Sequence, residues 1–146
     1  SARRELWIVC YSSYRAREVG TALKAAHSRG VEIKVVVESK EDSAGALRFS
    51  AINALGISDA NVTAIYHWPR ENRETDESGK PAVLHAKFAV ADSSSLFVTS
   101  ANLTGSALER NMEMGVLIHG TNLPRQTAEH LAWLVESGEL QELVSA

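Results

Sequence analysis

Only one cysteine, Cys10, occurs in 146 residues. A lone thiol excludes an intrachain disulfide framework and any metal site built from several cysteines. Its place in the apolar run Leu6-Trp7-Ile8-Val9-Cys10 predicts a buried, inert side chain. No apolar stretch approaches the roughly 20 residues needed to span a bilayer, and the N-terminus lacks the hydrophobic core of a signal peptide. These absences lead us to expect a soluble, cytoplasmic protein with no membrane partner. An excess of positive charge is missing too: 15 Lys and Arg stand against 18 Asp and Glu, a formal net charge of -3. No basic field covers the whole surface, so a polyanionic partner requires a local basic site. With nine glycines and three prolines the chain is far from fibrous or disordered compositions. Its length suits one domain, residues 1–146, with a sizeable core, and a start at Ser1 rather than Met reads as a piece of a longer protein.

What is present is an alternation of two periodicities. Residues 6–11 read as a strand, and Val19, Ala22, Leu23 and Ala26 then recur at helical spacing, giving one buried helix face. Gly30 ends that helix, and Val31, Ile33, Val35, Val36 and Val37 form a β-branched run typical of a strand covered on both faces. Asp42 or Ser43 can cap a second helix through Leu47, Ala51, Ala54 and Leu55 to Gly56, before a third strand over residues 62–67. This order predicts an α/β fold, a mixed, largely parallel sheet flanked by helices on both faces. Between Pro69 and Pro81 seven charged residues crowd a stretch without an apolar period, which predicts an exposed loop. Residues 83–91 and 96–99 read as an antiparallel hairpin around Asp92-Ser93-Ser94-Ser95. Residues 114–119 read as a further strand, and Asn122 and Pro124 start a last helix carrying Ala128, Leu131, Leu134 and Val135 that stops near Gly138.

The chemistry concentrates in one segment. On an extended chain His85 and Lys87 share a face, while Ala86, Phe88 and Val90 share the other. An imidazole beside an ammonium needs partners, because unpaired polar groups cost a few kcal/mol when buried, and an anion between them would supply one. Ser100 and Asn102 repeat the two-residue spacing at the end of the following strand and add a hydroxyl and an amide as donors. Glu113 follows closely.

These residues resemble the signature of the phospholipase D superfamily, H-x-K-x4-D followed by Ser, any residue and Asn, in the manner of its small single-motif nucleases. His85, Lys87 and Asp92 fill the first part, Ser100 and Asn102 the second, and Glu113 stands where the family has an acidic partner for the histidine. Six residue types at fixed offsets arise by chance on the order of 10^-6 times in a chain of this length. Thr99 departs from the pattern, which has Gly before the Ser.

The resemblance implies phosphodiester cleavage without metal or other cofactor. A neutral imidazole, His85, attacks; Lys87 and Asn102 bind the non-bridging oxygens with Ser100 in support; Glu113 orients the histidine; Asp92 is structural or acts at one remove. It also implies two histidines per site, and no second H-x-K exists here. The economical partner is a second copy, a homodimer pairing two His85 residues across a twofold axis, although a missing segment could carry the other motif. The length points to nucleic acid, DNA foremost, as substrate. The run of residues 6–143 is similar to the phospholipase D-like subunit of bacterial DISARM phage-defence systems, which implies further partners in a defence complex. Alternatives are a phospholipid hydrolase or transphosphatidylase and a silent nucleic-acid-binding scaffold.

Around the motif, Trp68 could stack on a base, and Arg70, Arg73, Lys80 and Arg110 are the candidates for steering a polyanion. For His67 and Trp68 a rim or core role competes, for the charged loop a solvated surface, and Trp7 and Trp133 are expected in the core.

Overall fold

The computed structural model describes residues 1–11, 13–14, 17–38, 51–53, 55–104 and 110–144. Nine strands are described: β1 (Glu5–Cys10), β2 (Ser13–Tyr14), β3 (Glu32–Val37), β4 (Ala64–His67), β5 (Phe88–Ala91), β6 (Ser95–Thr99), β7 (Leu103–Thr104), β8 (Gly115–His119) and β9 (Gln141–Glu142). Two longer helices accompany them, α1 (Arg17–His27) and α2 (Leu123–Glu136). Seven strands form one sheet in the order β8-β6-β5-β1-β3-β4-β9, and β2 pairs with β7 separately.

The sheet is mixed, as the alternation predicts, but its balance differs from the largely parallel expectation. The pairs β1–β3 and β3–β4 are parallel, whereas β1–β5, β5–β6, β6–β8 and β4–β9 are antiparallel. The early β-α-β crossover enforces parallel pairing and the tight turn after Ala91 enforces the antiparallel β5–β6 hairpin, while longer connections bring β5 to β1, β8 to β6 and β9 to β4 in the opposite sense.

Alternation along the central strands builds two cores. Ile8, Cys10, Ile33, Val35, Val37 and Ile65 face α1 and its Leu23 and Ala26. Trp7, Val9, Val36, Ala64, Tyr66 and Val90 face α2 and its Ala128 and Leu131. Ile33, Val35 and Val36 are essentially sealed from solvent, as a strand covered on both faces requires. Cys10 is buried, and desolvation pushes its thiol up to about 12, so it stays protonated and inert.

Two helical expectations need correction. Ala22 is exposed, and the inward position beside Leu23 belongs instead to Gly20. A Cβ at Gly20 would lie 2.3 Å from the Leu55 carbonyl oxygen, so α1 and the chain at Leu55 meet backbone to backbone. Trp133 projects from α2 with 56% of its surface exposed and stacks on His130 rather than entering the core. Asp42, Ser43, Leu47 and Ala54 lie outside the described residues, while Ala51 and Leu55 are buried as expected.

The topology gathers the motif at one end of the sheet. Because β5 is antiparallel to β1, the segment entering β5 lies beside the carboxyl end of β1. Because β6 is antiparallel to β5 and β8 to β6, the exit from β6 and the entry to β8 lie at that same end. His85–Lys87, Ser100–Asn102 and Glu113 arrive there together, at the carboxyl ends of the parallel strands where α/β folds place their sites.

Candidate active site

His85 and Lys87 are held just outside the ladder. The pairing of β5 with its neighbours starts at Phe88, and the next bond upstream runs from the Thr99 N–H to the Lys87 carbonyl, 3.1 Å. The strand predicted from residue 83 is therefore shorter, because the Leu84 N–H donates to the Glu38 carboxylate and not to a neighbouring strand. His85 is exposed. Its ring packs on Tyr11 at 4.9 Å between centroids, and the Lys87 ammonium lies 5.6 Å from the centre of the same Tyr11 ring. The ammonium donates to the His85 carbonyl at 2.8 Å and stands 3.5 Å from His85 Nδ1, too long to fix a tautomer. Sequence reasoning missed Tyr11; its signal was the residue directly after β1, at the end of a parallel strand.

Ser100 and Glu113 form the second wall. The Ser100 hydroxyl donates to Glu113 Oε2 at 2.5 Å, and the Met114 N–H donates back to that hydroxyl at 3.1 Å. Asn111 Nδ2 donates to Glu113 Oε1 at 3.3 Å. The expected orienting contact from Glu113 to His85 is not among the described hydrogen bonds; the carboxylate is engaged by Ser100, two strands away from the imidazole. Asn102 is half-buried, and its side-chain oxygen is buried without a hydrogen-bond partner among the described residues. Thr99, where the signature has Gly, accepts from the Ala101 N–H at 3.0 Å and donates to the Met114 carbonyl, so its hydroxyl serves the turn.

Asp92 has a structural task at the opposite end of the sheet. Its carboxylate accepts the backbone N–H groups of Arg3 at 2.8 Å, Arg4 at 2.8 Å and Glu5 at 3.0 Å, fastening the start of β1 to the β5–β6 turn. Asp92 and Ser93 both have positive φ, 53° and 54°, and the Ser94 N–H closes the turn on the Ala91 carbonyl, the two-residue geometry that suits a twisted hairpin. Burial pulls the Asp92 carboxyl upward, but the bonds from Glu5, Arg4 and Arg3 with the Arg4 charge outweigh it and hold it below its ordinary value. A depressed carboxyl contributes stability that is complete above its unfolded value and is lost as pH falls through the folded one. Asp92→Ala should thus cost about 2 kcal/mol at pH 7 and less below pH of about 4, with Asp92→Asn milder. Urea melts at the two pH values check this.

Two candidate substrate contacts are corrected. Arg73 is buried, bonded to Glu38 and to the Trp68 and Ala82 carbonyls, and so does not steer a ligand. The Trp68 indole donates to Glu139 at 2.7 Å, lies against the Arg73 guanidinium, and lines an apolar cavity of about 290 Å³ with Leu84, Ala86, Phe88 and Leu134. That is the α2 side of the sheet, opposite His85. His67, also half-buried, has its pKa lowered by burial. Arg70, Lys80 and Arg110 are exposed. Lys80 sits in an ordered turn in which Asp76 accepts the Ser78 and Lys80 N–H groups, while Thr75 bridges Pro81. The charged stretch is exposed apart from Arg73 and a few half-buried residues, but it is built rather than irregular.

Residues 1–135 match the family described as cardiolipin synthase, PLD-like domain. The chain belongs to the phospholipase D-like family. This phospholipase D-like domain is 27% identical over 119 residues to phospholipase D Y of Dictyostelium discoideum, covering 82% of the chain but only 24% of that relative; it spans about a quarter of the curated relative's length. Among solved structures it resembles NucT from Helicobacter pylori, with a TM-score of 0.72 and 22% identity, covering 93% of this chain and 81% of that one. Nuc, a phospholipase D family member from Salmonella typhimurium, gives 0.67 and 22%, with 100% and 85% covered. TrmBL2, an archaeal chromatin protein described as having a novel mode of DNA binding, gives 0.54 and 16%, with 94% and 45% covered. These likenesses establish the fold. Among the described residues no helix is long and apolar enough to cross a membrane.

Proposed function

We propose that the chain is a metal-independent phosphodiesterase acting on nucleic acid, DNA foremost, through a phosphohistidine on His85. The observation that carries this reading is the meeting of one imidazole, one ammonium and the Ser100–Asn102 turn at a single sheet end. In the first step a His85 ring nitrogen attacks phosphorus, forming a P–N bond as the P–O bond to the leaving oxygen breaks. Lys87 and the Asn102 amide donate to the non-bridging oxygens, where charge accumulates. Ser100, held by Glu113, keeps the turn carrying Asn102 against the entry to β8. The leaving oxygen takes its proton from the partner subunit's His85. That imidazole then removes a proton from water, whose oxygen attacks phosphorus and breaks the P–N bond, restoring both histidines.

The second histidine comes from a second copy of the chain. Support for this lies at the sheet edge next to the site, where β8 has no outer neighbour among the described residues. It exposes apolar side chains on both faces, Val116 at 55% and Leu117 at 59%, with Phe97 and Val98 of β6 beside them and Met112 and Met114 toward the catalytic end. Open apolar edges are a hazard in a monomer and an interface in a dimer. DNA binding by TrmBL2, which shares the fold, supports nucleic acid over lipid. A place in a defence complex, which the sequence resemblance to the DISARM subunit implies, would let partners supply the basic surface that a net charge of -3 does not.

The test is cleavage of single-stranded DNA, duplex DNA, RNA and a phosphatidylcholine analogue with EDTA present. Nucleic-acid cleavage that survives EDTA, with an acid-labile phosphoryl group trapped on the protein, is expected. Loss of cleavage in EDTA overturns the metal-free mechanism, turnover of the lipid alone overturns the substrate, and binding without turnover indicates a scaffold.

A further inference from the structure

The residues that lead into His85 are anchored by a pair of buried charges. Downstream of His85 the backbone is held by the Thr99 bond to the Lys87 carbonyl and then by the ladder. Upstream the described bonds are of another kind. The Ala82 N–H donates to the Glu74 carbonyl at 2.9 Å, the Ala82 carbonyl accepts from Arg73 Nη1 at 3.0 Å, and the Leu84 N–H donates to Glu38 Oε2. Arg73 Nη1 also donates to Glu38 Oε1 at 2.7 Å, while Arg73 Nε and Nη2 both reach the Trp68 carbonyl. The two side chains are 2% and 3% exposed, against 21% or more for every other described ion pair. One guanidinium thus ties together the ends of β3 and β4 and the segment entering the site.

A buried ion pair is a poor source of stability, since desolvation consumes most of the Coulombic gain, yet it is a strict source of geometry. The planar fork of Arg presents donors at fixed angles to three oxygens, which neither Lys nor an apolar pair can reproduce. Glu38 spends its second oxygen on the amide one residue before His85.

We propose that Glu38 and Arg73 are positioning residues that set the backbone at Leu84 and thereby the point from which the His85 imidazole attacks. This rests on the reading of His85 as the attacking group. Lys87 and Asn102, which grip the phosphate in that reading, are fixed instead by the ladder and by the end of β6. Loosening the pair therefore slows attack more than it weakens binding.

The experiment compares Arg73→Lys and Glu38→Gln with wild type in the whole chain, at a temperature where circular dichroism shows each fully folded. Arg73→Lys is expected to lower kcat about 10- to 100-fold with KM within about twofold, and to speed hydrogen exchange of the Leu84 amide about tenfold or more relative to Val90. Glu38→Gln keeps only one of the two acceptor oxygens, so either the Leu84 N–H or Arg73 Nη1 loses its partner, and it should likewise lower kcat with KM little changed. If Arg73→Lys does not fold, the double variant Glu38→Met with Arg73→Met removes both charges without orphaning either and should show the same kcat loss. A variant with a lowered melting point but unchanged kcat per folded molecule, or a change confined to KM, overturns the proposal. Absence of turnover in the wild type overturns the functional reading instead, and Leu84 exchange then decides the anchoring by itself.

Discussion

Replacing His85 by Asn is expected to lower phosphodiester turnover by about 10³-fold or more while leaving the urea midpoint where it was. The first half follows because no other described imidazole lies beside Lys87 and the Ser100–Asn102 turn: His67 ends β4 at this end of the sheet, but three strands from β5 and half-buried, so the P–N bond has no alternative donor atom within reach. The second follows from exposure: His85 touches Tyr11 and the Lys87 ammonium, but no buried group among the described residues depends on it for a hydrogen bond, and surface changes of this kind stay within about 0.5 kcal/mol. Lys87→Ala should also reduce turnover strongly, but through loss of charge at the phosphoryl oxygens, so that variant should still form phosphohistidine slowly in a single-turnover trap. His85→Asn should form none. Full activity in His85→Asn would sink the mechanism outright.

The second large effect is expected at a position that touches no substrate. Leu117→Glu places a carboxylate on the open β8 edge, and in a twofold assembly each copy then meets the other's charge. Sedimentation should show the mass falling from two chains to one, with DNA cleavage reduced about 100-fold or more at micromolar protein. Because Leu117 is 59% exposed in the single chain, the melting transition of the monomer should barely move. A dimeric Leu117→Glu would remove β8 as the interface, and a monomer with full turnover would remove the shared site altogether.

How far the sequence could be read depended on what each signal reports. Periodicity reports burial, so β1, α1, β3, β4 and α2 were legible from Ile8, Leu23, Val35, Ile65 and Leu131. The motif was legible because its spacing is itself structural: two residues place His85 and Lys87 on one face whatever the sheet does with them. Arg73 was misread because a charge among six others looks solvated, and nothing local reveals that Glu38, 35 positions away, waits in the core for it. Trp68 and Trp133 exchanged expectations with their surroundings, one tied to Glu139 and Arg73, the other left on the surface. Glu113 lies at the same sheet end as His85, but its carboxylate accepts from Ser100, a choice between neighbours that spacing cannot make. The parallel bias of the sheet was overestimated because helix-linked and hairpin strands announce their sense, whereas β5 joins β1, β8 joins β6 and β9 joins β4 across connections that do not.

The Asp92 clamp has a practical geometric meaning. The carboxylate fixes Arg3, Arg4 and Glu5 to the β5–β6 turn, while Tyr11, six residues after Glu5, lies at the other end of the sheet against His85. At about 3.3 Å per residue, the start of β1 lies roughly 20 Å from the end that carries Tyr11 and His85. A fluorescent protein or a surface tether fused at that terminus can therefore be large without covering the end of the sheet that carries His85 and Lys87.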